Sequence, residues 1–152
     1  SRVLCALFNK ALFPDAAAMH QAFEENGMAN IAFIANRLRD AGATVALASF
    51  PAPDLASCSA TERAFFQWDL EKHWFGGTYV TMTTYLDALA LFNRQMKALC
   101  EKEGYLYIPL AEAFAHGNTA VFTDICHMKV DAIARKASII AQALNQTISG
   151  KR

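Results

Sequence analysis

Residues 30–50 read NIAFIANRLRDAGATVALASF, and this stretch decides the fold class because its hydrophobic pattern changes partway along. From Asn30 to Ala41 the apolar residues Ile31, Ile34, Ala35 and Leu38 recur at helical spacing, and Gly42 stands where a helix stops. From Thr44 to Phe50 (TVALASF) the spacing gives way to a continuous apolar run of the kind expected for a strand buried on both faces. Pro51-Ala52-Pro53 halts it. A helix followed directly by a buried strand is the repeating unit of an α/β protein.

Outward from this stretch the unit recurs. Thr83 to Lys102 places Tyr85, Ala88, Leu89, Phe92, Met96 and Leu99 at helical spacing, Gly104 closes that helix, and Tyr105 to Leu110 (YLYIPL) reads as another strand. Pro109 marks an edge position or the end of that strand. Near the start, Arg2 to Phe8 (RVLCALF) is a third buried-strand candidate, left at Asn9-Lys10. A last helix is expected from about Asp131 to Leu144. These elements predict one α/β domain over residues 1–152, with a parallel sheet flanked by helices on both faces.

Between Pro53 and Thr83 the pattern breaks. Thr61 to Lys72 is expected to be a helix with Ser59 or Thr61 near its start, followed by an aromatic loop. Phe65 and Phe66 suit either core or site. His73, Trp74, Phe75, Gly76 and Gly77 are the candidates to line a substrate pocket.

Composition narrows the function classes. A chain of 152 residues should bury roughly 70% of the surface its unfolded form exposes, enough for one core. The apolar fraction is 54%, yet no apolar run approaches the ~20 residues a membrane-spanning helix needs, so no membrane role is expected. Fourteen basic residues balance fourteen acidic ones without clustering, which argues against a nucleic-acid partner. The four cysteines at 5, 58, 100 and 126 form no Cys-x-x-Cys pair, so neither a structural zinc module nor a disulfide scaffold is expected. Cys5 and Cys100 read as buried thiols, and Met19, Met28, Met96 and Met128 as core filler. The first residue is Ser rather than Met and no signal-like leader follows, which fits a processed or truncated amino terminus. No compartment follows from these features.

The chemistry-bearing motif is Asp124-Ile-Cys-His127, just ahead of the last helix. A carboxylate three residues before a histidine can hold the imidazole in one tautomer, so that its other nitrogen acts as a base. Asp124, Cys126 and His127 can also be read as metal ligands. They crowd onto one short turn, however, and tetrahedral sites normally draw on a second, distant pair, so no metal is expected. Cys126 is adjacent to His127, a placement that seldom aims a nucleophile at its base.

Three stretches together resemble the carboxy-terminal part of the SGNH/GDSL hydrolases: GATVALASFPAP, YLDALALFNRQMKALCEKEGYLYIPLAEAF and FTDICHMKVDAIARKASIIAQAL. The last is similar to the family's final block, in which Asp-x-x-His precedes the terminal helix. The resemblance implies a flavodoxin-like sheet whose first strands are lacking here, with functional groups at the carboxyl ends of the strands. It implies a serine-dependent esterase or acetylesterase acting on a small-molecule carboxylic ester without a cofactor, His127 as general base, Asp124 as its orienter and Asn9 as an oxyanion-hole candidate. Leu7 and Lys10 depart from the family's pattern around that asparagine, as do Lys129 and Ala132 after the histidine. No Gly-Asp-Ser or Gly-x-Ser-x-Gly occurs, so the nucleophile is not identifiable in this chain. The resemblance further implies that a missing amino-terminal segment or a second chain pairs with the strand Arg2–Phe8. The competing expectation is a non-catalytic binding or assembly module, or an inactive remnant, on the same fold.

Overall fold

In a computed structural model the chain is described over residues 16–74 and 81–149. The expected strand Arg2–Phe8, Asn9 and the loop residues Phe75, Gly76 and Gly77 lie outside the described residues.

Residues 16–40 are helical without a break: α1 (Ala16–Ala22), a π-helical turn (Phe23–Met28) and α2 (Ala29–Asp40). The chain leaves α2 at Gly42, whose φ of 86° lets its own N–H reach Arg39 O at 2.8 Å while Ala43 N–H reaches Leu38 O at 3.0 Å. The stripe predicted for this helix is only partly covered. Ala35 is buried, but Ile34 and Leu38 are exposed, as is their neighbour Phe33.

β1 (Ala46–Ala48) pairs in parallel with β2 (Leu106–Ile108), Ala46 opposite Leu106 and Ala48 opposite Ile108. Both strands are shorter than the apolar runs predicted, for identifiable reasons. After Ser49 the peptide of Phe50 is captured by a side chain: its N–H donates to Asn93 Oδ1 at 2.8 Å and its carbonyl accepts from Asn93 Nδ2 at 2.9 Å. On β2 the ladder stops at Pro109, which has no N–H and instead starts the short α5 (Leu110–Ala113). β1 was expected to be buried on both faces and is half-buried throughout, since β2 alone lies beside it among the described residues.

The middle segment folds as α3 (Ala60–Asp69), followed by a π-helical turn (Leu70–Trp74) that carries the backbone of His73 and Trp74. Ser59 is its N-cap: Ser59 Oγ accepts from Glu62 N–H and the Glu62 carboxylate accepts from Ser59 N–H, a reciprocal pair that satisfies two otherwise unbonded donors. α4 (Met82–Glu103) starts at Thr81, whose hydroxyl accepts from Thr84 N–H, and ends at Gly104 in the left-handed conformation. α6 (Val130–Ser149) closes the described chain, and Arg135 ties it to α5 by donating to Ala113 O at 2.9 Å. Among the described residues the protein is thus mixed α/β, mostly helical, with one small parallel sheet; α4 and α6 both pack on β2. No described helix is long and apolar enough to cross a membrane.

Burial is concentrated in one place. Cys58, Phe66, Leu70, Met82, Phe114, Phe122, Ile125, Met128 and Ala132 form the larger core, joining α3, the start of α4, the loop after α5 and the start of α6. A smaller cluster of Ala35, Cys100 and Tyr105 lies beside the sheet. Gly117 touches the larger core so closely that a Cβ there would collide with the Phe122 ring and sit 3.2 Å from Phe114 O.

Candidate active site

Residues 121–129 form a hairpin-like loop. Phe122 and Met128 face each other in an isolated antiparallel bridge, Thr123 N–H donates to His127 O at 2.8 Å, and Lys129 N–H donates to Val121 O at 2.9 Å. Phe122, Ile125 and Met128 point into the larger core, so burial fixes the loop from beneath while Asp124 and His127 remain on the outside. Asp124 organises the tip. One carboxylate oxygen, Oδ1, accepts the N–H groups of Cys126 at 2.9 Å and His127 at 2.7 Å; the other, Oδ2, lies 2.7 Å from His127 Nδ1. Burial pushes the Asp124 carboxyl up, but the two backbone N–H groups and then the imidazole outweigh it and hold it below the usual range. It is therefore an anion at neutral pH. An anionic acceptor on Nδ1 selects the tautomer with hydrogen on Nδ1, which leaves Nε2 as the basic nitrogen. The His127 side chain is 70% exposed, so nothing apolar among the described residues seals the ring.

Below this pair lies a residue that sequence reading missed. Asp69, the last residue of α3 and only 4% exposed, accepts the N–H of Ile125 at 3.2 Å and so braces the loop from the core side. The available signal was an acidic residue between Trp68 and Leu70 on a helix with an apolar face. Tyr85, on the first turn of α4, is the other addition. It packs, partly buried, against the core that carries Ile125 and Met128, and this burial is the main cause that pushes its phenol up.

Cys126 lies with Sγ 3.5 Å from His127 Nδ1, but burial, then the Asp124 charge and its hydrogen bond, then Asp69 push the thiol up to about 11. It stays protonated at neutral pH and is not a thiolate nucleophile. Four of the five described serines have other tasks, and the fifth, Ser149, is the last residue of α6. Ser49 is 1% exposed and its Oγ accepts from Ala111 N–H at 2.8 Å; Ser57 donates to Asp54 at 2.6 Å; Ser59 caps α3; Ser138 donates back to Ala134 O within α6.

No protein-family model, curated protein or solved structure matches the chain. The likeness to the SGNH/GDSL hydrolases therefore rests on the residues already quoted, and the Asp124–His127 geometry carries the chemical argument by itself.

Two further features bear on the site. A cleft of about 350 Å³ lies between α1, α2 and α4, lined by Glu24, Met28, Gln95 and Lys102 among others, and includes neither Asp124 nor His127. Volume alone supplies no base, so the candidate site is the loop. A donor atom from each of Asp124, Cys126 and His127 lies within 4.8 Å of the other two. Of the expected site residues, the structure brings Asp124 and His127 together, while His73 and Trp74 are placed by backbone only.

Proposed function

We propose that this chain carries the acid–base half of a serine-dependent carboxylic ester hydrolase of the SGNH/GDSL type, with β1 and β2 as two strands of a flavodoxin-like sheet. The observation that carries the reading is the 2.7 Å contact between Asp124 Oδ2 and Nδ1 of a solvent-exposed His127. His127 Nε2 removes the proton from a serine hydroxyl as its oxygen attacks the ester carbonyl, and Asp124 stabilises the imidazolium that forms. The same nitrogen returns that proton to the departing alcohol oxygen, leaving an acyl-serine that water hydrolyses by the same route. The serine comes from outside the described residues, either from another segment or from a second chain, and Asn9 contributes to the oxyanion hole. Acetylated sugars and short acyl esters are the substrate class, held by the aromatic stretch His73–Gly77.

A fluorophosphonate probe tests the reading directly on the full-length natural product, where irreversible labelling of a serine is expected and an unlabelled protein would overturn it. His127→Ala should lower kcat by roughly 10⁴-fold or more while leaving Tm nearly unchanged, because the ring is exposed. A fall in Tm without a fall in turnover would make the histidine structural.

One observation favours the assembly reading as well. Phe33, Ile34 and Leu38 form an exposed apolar group on α2, the helix that leads into the half-buried β1. An unlabelled protein that associates through this face would be a binding module on the same sheet.

A further inference from the structure

We propose that Asp124, Cys126 and His127 also form a site for a zinc ion, and that zinc and general-base chemistry exclude each other there. Four-coordinate zinc with bonds of about 2.0 Å to nitrogen or oxygen and about 2.3 Å to sulfur sets its donors about 3.3 to 3.6 Å apart. Sγ of Cys126 and Nδ1 of His127 are 3.5 Å apart, already at that spacing. Oδ2 of Asp124 and Nδ1 are at 2.7 Å, a hydrogen-bond distance that must widen by about 0.6 Å to admit the ion. The three donor atoms lie within 4.8 Å of one another, so rotation of the exposed imidazole must be joined by rotation of the Cys126 and Asp124 side chains to bring all three to zinc spacing. The backbone stays in place, held by the Phe122–Met128 bridge and the bond from Ile125 N–H to Asp69.

The donor set is one nitrogen, one sulfur and one oxygen, which suits zinc and not the all-oxygen ions calcium and magnesium. Water takes the fourth position. On binding, the Cys126 thiol proton leaves to solvent and the Nδ1 proton passes through solvent to Nε2, so one proton is released per ion. The dication, the thiolate and the Asp124 carboxylate then sum to zero charge beside the Asp69 carboxylate. Nε2 now carries hydrogen and no longer accepts a proton, which is why the loaded site cannot act as the base. Ion binding stands on the geometry alone; only the loss of base function rests on the hydrolase reading.

The test uses the full chain, zinc sulfate in competition with a chromophoric chelator, and cobalt chloride as a spectroscopic substitute. Expected are one equivalent of zinc bound, release of one proton per ion, and a thiolate-to-cobalt charge-transfer band with the strong visible bands of four-coordinate cobalt. Cys126→Ser and His127→Gln should each weaken zinc by more than the roughly 10–100-fold that follows loss of an outer-shell partner. His127→Gln alters an exposed side chain, so its folding is not in question. Absence of saturable binding in the unaltered protein, or equal affinity in both variants, would overturn the site. Zinc uptake is read without turnover, so a protein that binds zinc but does not label with a fluorophosphonate defeats the hydrolase reading and leaves the metal site standing. If the protein does label, one equivalent of zinc should abolish labelling, and persistent labelling of the zinc-loaded form would overturn the mutual exclusion.

Discussion

The loop at 121–129 and the strand β1 both follow apolar sequence, yet one is anchored and the other is left half covered. Under the loop, Phe122 and Ile125 are at most 1% exposed and join a core that draws on three helices. Beside β1, the cluster of Ala35, Cys100 and Tyr105 is small, and the neighbouring helix leaves Phe33, Ile34 and Leu38 in solvent. The contrast teaches where rigidity is concentrated. A side-chain pair keeps one geometry when the residues carrying it are fixed by packing, and the Asp124–His127 pair has that support. The sheet side is the less buried of the two among the described residues.

The contrast can be broken most forcefully at Phe122. Phe122→Ala should destabilise by about 3–5 kcal/mol in denaturant titration, because it empties the centre of the larger core. A loss below that of a half-buried β1 substitution such as Leu47→Ala would reverse the ranking of the two regions. Gly117→Ala acts on the same ring from the other side. Its added methyl group meets Phe122, and overpacking of this kind costs about 1–3 kcal/mol, measured as a shift in the unfolding midpoint.

A third effect is visible only in acid. Glu62 is drawn from its ordinary 4.5 to about 2, chiefly by the Thr119 hydroxyl and then by the Ser59 backbone and side chain, and so it links the start of α3 to the loop before Phe122. Because its folded-state value is lowered, its contribution is complete above about 4.5 and disappears as pH falls through about 2. Glu62→Gln should therefore show a flatter decline of stability over that range, and an identical acid profile would remove the link. Smallest of all, Leu38→Gln on the uncovered face should change stability by less than about 0.5 kcal/mol. A larger loss, or a change in sedimentation, would show that the face is covered in solution.

Local signals were legible in the sequence and environmental ones were not. Of the two starts expected, Ser59 or Thr61, Ser59 is the cap, and the stop at Gly104 appears where expected; both are written in neighbouring residues. So is the Asp124–His127 spacing, since a three-residue separation on a turn puts the imidazole within reach of the carboxylate. Periodicity identified Ile34 and Leu38 as a possible inner face of α2, but period alone does not say whether a partner covers that face. The π-helical turns and the four-residue α5 carry no periodic pattern, and strand length depended on a carboxamide 43 residues away. Asp69 went unseen because an acid at a helix end is ordinary on a surface, and only the folded chain puts it inside.

That distant carboxamide has a consequence of its own. Asn93 offers one acceptor and one donor in the arrangement of a neighbouring peptide, so a helix supplies the partner that an extra residue of strand would have supplied. An aspartate there would accept twice and donate nothing, and a leucine would do neither. The upper limit of the ladder is thus drawn from outside it, and the chain is released toward the loops at the height where α4 dictates.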